Sequence, residues 1–188
     1  MTEYINKIVR TSLSLLIFMT VLLAGEWAFA VGKETLVDIT GVAVVVDALP
    51  PTAREDGLTE AGIKALVDDR LARSNIAVLE DREWFSVFGG SYMLVKLIAS
   101  KAVSGDRYAV YIDMELYQTV VLMGKRLGQN INTAAATWSI GKLLSCSSAD
   151  IKDCVLGTVS ELTGLFIKDY VEVNTLKWKQ EQERLEKK

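Results

Sequence analysis

The 188-residue sequence contains no histidine. That removes the commonest general base and the commonest metal ligand together. Cysteine is almost as scarce, with Cys146 and Cys154 the only two. Two cysteines without histidine make a poor zinc site, and nothing else in the chain has metal-ligand spacing. Their spacing is not C-x-x-C, so a redox role has no motif behind it. Neither charge sign dominates: 21 basic and 24 acidic residues leave a net charge of -3, which argues against a general nucleic-acid binder. No Gly-Lys-Ser/Thr follows Gly89-Gly90, so this is not a phosphate loop. Ser145, Ser147 and Ser148 have no histidine to activate them, and no motif marks a serine–lysine pair. No repeat or low-complexity segment is visible. No cofactor is expected.

What is present is enough apolar material for a core, since half the residues are hydrophobic. The first thirty residues read as an address. Lys7 and Arg10 make a basic start, residues 13–24 (LSLLIFMTVLLA) form an apolar run, and Ala28-Phe29-Ala30 fits the small-x-small cleavage rule. The run is shorter than the ~20 residues needed to span a bilayer, so a cleaved secretory signal is favoured over a retained anchor. Glu26 stands where a lipoprotein would carry cysteine. The sequence therefore predicts an exported protein, periplasmic or secreted, with a signal over 1–30, one domain over 31–174 and a charged tail over 175–188.

The organising stretch is residues 108–123 (YAVYIDMELYQTVVLM). Val110, Ile112, Met114 and Leu116 point one way; Tyr111, Asp113, Glu115, Tyr117 and Thr119 point the other. Such period-2 alternation predicts a long strand with one face in a core. Residues 41–47 (GVAVVVD) predict a buried strand, stopped by Leu49-Pro50-Pro51 and followed by a polar loop over 52–57. Residues 59–74 predict a helix capped by Thr59, with Ile63, Leu66, Val67 and Leu71 on its apolar stripe and Asn75 just past its end. Short strands follow at 76–79 and 92–101, the second joined to the long strand through the turn Ser104-Gly105-Asp106. Residues 124–132 form a polar loop and 133–143 a fifth strand. A second helix runs to about residue 173 on the stripe Ile151, Val155, Val159, Leu162, Phe166 and Tyr170, and the tail either extends it or frays. The order β-α-β-β-β-α predicts an α+β two-layer sandwich: a mixed sheet of about five strands with two helices on one face.

Cys146 and Cys154 are expected to form a structural disulfide, because the loop before the second helix can fold back onto its first turns. Two surfaces are candidates for partner binding. One is the sheet face away from the helices, carrying Tyr111, Tyr117, Leu94, Ile98 and Thr137; the alternative is an ordinary solvated face. The other is the loop bearing Trp84, Phe85 and Phe88, which either docks a partner or folds inward to plug the end of the sheet. Asp113 and Glu115 could serve acid–base chemistry, but their place beside Tyr111, Tyr117 and Lys96 fits a polar sheet face better. The expected partner is another envelope protein or a second copy, and the protein is expected to be non-enzymatic. Membrane contact is expected only through an uncleaved signal or a weak surface touch. A binder of a small apolar ligand or lipid between sheet and helices is the alternative.

Residues 58–76, 108–122, 135–143 and 166–174 together resemble a family of exported small bacterial α+β proteins. The resemblance implies an exported small domain and brings no activity or site residues. The element order also looks like that of small periplasmic adaptor domains, such as the amino-terminal domain of the Tol translocation β-propeller protein and the lipoprotein activators of peptidoglycan synthases.

Overall fold

In a computed structural model of the chain, residues 32–80, 82–87, 89–123 and 130–186 are described. The expected signal segment, Phe88 of the aromatic loop and most of the polar loop over 124–132 lie outside the described residues. Five strands form one open sheet: β1 (Gly41–Val46), β2 (Val78–Leu79), β3 (Gly90–Lys101), β4 (Arg107–Met123) and β5 (Asn130–Ser147), in the order β2-β1-β3-β4-β5. β1 is parallel to both β2 and β3, whereas β3–β4 and β4–β5 are antiparallel hairpin neighbours. Three helices accompany it: α1 (Pro51–Glu55), α2 (Glu60–Arg73) and α3 (Ile151–Glu186). The class is α+β, with a mixed sheet of five strands, as the sequence predicts.

The alternation in β4 places Val110, Ile112, Met114 and Leu116 in the core at 0% exposure. They meet Val42 and Val44 of β1, Met93 and Val95 of β3, the stripe Ile63, Val67 and Leu71 of α2, and Ile151, Val155, Val159, Leu162 and Phe166 of α3. Each such side chain contributes about 1.5–3 kcal/mol by leaving water. α2 starts where Thr59 Oγ1 accepts the Gly62 N–H at 3.1 Å. It ends in a Schellman motif: Ile76 N–H donates to the Leu71 carbonyl and Asn75 N–H to the Ala72 carbonyl, with Asn75 left-handed at φ 58°.

Several boundaries differ from expectation. The polar loop over 52–57 contains the one-turn helix α1, because Pro51 occupies a first-turn position where its missing N–H is no loss. The second strand shrinks to two residues. β5 is longer at both ends than 133–143. Residues ahead of β1 form a 3-10 turn, Lys33–Leu36, whose Leu36 is buried. α3 clamps this segment: Asn174 Nδ2 donates to the Leu36 carbonyl at 3.1 Å, and the Tyr170 hydroxyl donates to the Ile39 carbonyl at 3.3 Å. The tail beyond Asn174 continues the helix. No described helix is long and apolar enough to cross a membrane.

Candidate interaction face

Cys146, at the end of β5, and Cys154, in the first turn of α3, are bonded, so the expected disulfide is present. It anchors the edge strand to the helix that covers the core. Among the described residues no group of three acidic or cysteine side chains converges as a metal site would require.

The side of the sheet away from the helices has a definite grain. Strand register sets it out in rows: Tyr92 opposite Tyr117; Leu94 opposite Glu115 and Ser139; Lys96 opposite Asp113 and Gly141; Ile98 opposite Tyr111 and Leu143. The first row is aromatic. Tyr92 and Tyr117 stack with centroids 4.8 Å apart and planes 7° apart. Trp84 leans on Tyr92 at 4.6 Å, and Phe85 on Trp84 at 4.6 Å. The loop carrying Trp84 therefore joins the open sheet face, and the two surfaces that the sequence suggests separately are one. Phe85 remains 63% exposed at the ladder's outer end.

Two glycines hold the loop there. Gly89 has φ +72°, and a Cβ on Gly90 would lie 2.3 Å from the Trp84 carbonyl oxygen. Only glycine at 90 lets the loop backbone come this close to the first residue of β3.

The middle rows are polar. Lys96 lies directly opposite Asp113, yet its ammonium reaches diagonally to Glu115 at 2.5 Å. The Tyr117 hydroxyl donates to the same Glu115 oxygen at 2.9 Å. The lysine hydrogen bond, aided by the tyrosine, lowers the Glu115 carboxyl below its ordinary value against the opposing effect of burial. The same bond raises Lys96, and the hydrogen bond to Glu115 and burial raise Tyr117. Asp113 moves the other way: burial first, then the Glu115 charge, raises it, and Lys96 offsets only part. Lys96 pairs with one of the two carboxylates, Glu115, within a polar sheet face.

The last row is apolar and open. Ile98 is 66% and Leu143 73% exposed. Tyr111 lies between them and leans over Gly141, where a Cβ would come within 2.3 Å of its hydroxyl. Leu94 is half-buried, with Glu115 of β4 and Val45 of β1 opposite it in register. Thr137 is taken up by the irregularity that shifts the β4–β5 register between Leu116 and Tyr117, and its hydroxyl donates to Gln118 at 2.5 Å. Of the expected face residues, Tyr111, Tyr117, Leu94 and Ile98 share this face, joined by Trp84 and Phe85. Sequence reasoning missed Tyr92, which bridges loop and sheet, and Leu143, which ends the apolar row. Tyr92 has the same parity as Leu94 and Ile98, which was the available signal.

No family model matches the chain, and no curated protein matches it. Among solved structures, a variant PelC dodecamer from Paraburkholderia phytofirmans is 12% identical, covering 75% of this chain and 95% of that chain with a TM-score of 0.40. A second PelC dodecamer from the same organism is 15% identical, covering 72% and 91%, also at a TM-score of 0.40. Likenesses at this level carry no argument about what this chain does or how it assembles.

Proposed function

We propose that the protein is an exported, non-enzymatic interaction module of the cell envelope, periplasmic or secreted, which holds another envelope protein against its open sheet face. The observation that supports this most is the continuity of that face. An aromatic ladder, Phe85-Trp84-Tyr92-Tyr117, borders a polar strip and an exposed apolar row on a rigid sheet that no described element covers. Aromatic anchors beside apolar and charged groups are the usual make-up of interface hot spots. Export is supported by the apolar run over 13–24 with its Ala28-Phe29-Ala30 end, and by the disulfide, which persists in oxidising compartments. The layer between sheet and helices is packed with Ile112, Met114, Leu116, Trp138 and Phe166, none more than 1% exposed, which favours the outer face over an interlayer ligand.

Tyr111→Ala and Phe85→Ala test the proposal. Both remove exposed side chains, so circular dichroism and melting temperature should stay close to those of the parent. Pull-down from the native envelope should lose the same partner in both variants. Retention of that partner by both would contradict the proposal.

A further inference from the structure

β5 forms one edge of the sheet. Its inner side is laddered to β4 along its whole length. Its outer side is engaged at one point only among the described residues: the Thr35 hydroxyl donates to the Thr137 carbonyl at 3.1 Å. Past that cap, no turn or loop backbone hydrogen bond is made by residues 138–146. Natural sheets blunt such an edge with a short strand, a proline, an outward charge or a cover. β5 is 18 residues long and has no proline. Its single charged residue, Lys142, turns its ammonium to Glu161 of α3 at 3.0 Å. Among the described residues the edge is thus left open as a template for another strand.

Its occupant is set by where the exposed apolar row meets this edge. The outer side of β5 past the Thr137 cap includes Leu143. The apolar row Ile98–Tyr111–Leu143 runs to the edge and stops at that same residue, 73% exposed. We propose that β5 pairs antiparallel with β5 of a second copy about a two-fold axis at Leu143. That register sets Leu143 against its own counterpart and joins the two apolar rows into one of six side chains. Lys142 then faces Leu144 of the other copy. An axis one residue earlier would take Leu143 off the axis and leave the two apolar rows out of line. Isologous pairing of this kind needs one self-complementary patch, which a strand edge provides. The proposal uses the edge and the apolar row and leaves the aromatic ladder of Phe85, Trp84, Tyr92 and Tyr117 free for a partner.

The test uses the full chain purified from its native host. The native cysteines are bonded to each other, so an added cysteine is the one free thiol. Leu143→Cys should give a cross-linked dimer with a short bismaleimide. Ile98→Cys should not, because two such thiols would be five strand spacings, about 24 Å, apart. Leu143→Asp should raise the dimer dissociation constant at least tenfold in sedimentation while leaving the circular dichroism unchanged. The proposal is overturned if Leu143→Cys reacts with a monofunctional maleimide but yields no cross-linked dimer. It is equally overturned if Ile98→Cys cross-links as well as Leu143→Cys, or if Leu143→Asp leaves assembly unchanged.

Discussion

Glu115 and Asp113 sit two residues apart on one strand face and respond to pH in opposite senses. Glu115 is held below its ordinary value by Lys96, so it stabilises the fold above the unfolded carboxylate range and loses that contribution as pH falls through its folded value. Glu115→Gln should therefore cost about 1 kcal/mol at neutral pH, and the difference should shrink in urea titrations as pH falls through the lowered folded value. Asp113 is raised, chiefly by burial, so its charged form is disfavoured in the fold and stability falls as pH rises through the window between its unfolded and folded values. Asp113→Asn should raise neutral-pH stability by a few tenths of a kcal/mol, small because water still screens the site. A melting temperature that drops in Asp113→Asn would show that its carboxylate has a partner on this face after all. Gly90→Ala belongs to the same scale: a Cβ meeting the Trp84 carbonyl at 2.3 Å should cost about 2 kcal/mol or more and quench or shift the Trp84 fluorescence as the loop is pushed off the sheet.

At the scale of elements, the sequence shows plainly whatever local chemistry alone determines. The alternation of β4 announces its buried and open faces because a strand's side-chain period is two. α2 is legible at both ends because Thr59 and Asn75 cap it through contacts with residues only a few positions away. Thr59→Ala should cost about 1 kcal/mol by urea denaturation. The disulfide is legible because it closes a short loop at a strand–helix junction. Replacing both cysteines by serine should cost about 2–3 kcal/mol, and adding reductant to the native chain should reproduce that loss. The hidden features depend on distant contacts. α1 has a single turn, too short to show a period, and its proline reads as a stop. β5 outruns its expected span because residues 130–132 read as the end of a polar loop and residues 144–147 as the loop before the second helix, whereas pairing with β4 holds both ends in the strand. The tilted packing of Trp84 against Tyr92 joins a loop to a strand through a tertiary contact that no spacing rule encodes.

The whole molecule separates its two sides by chemistry. One face of the sheet is sealed by α2 and α3 into a close-packed core. The other keeps four aromatic rings, a lysine–glutamate–tyrosine cluster and an apolar row in view of solvent. A fold whose buried core lies on the helix side can leave the opposite face free to recognise a partner, because changes there disturb few core contacts. The central claim is that this open face binds another protein. It is tested most directly by placing a photo-cross-linking residue at Tyr111 in the native host, with a control at Arg73 on the exposed side of α2. One discrete partner should be captured from Tyr111 and be absent from Arg73. The same products from both positions, or none from Tyr111, would contradict the claim.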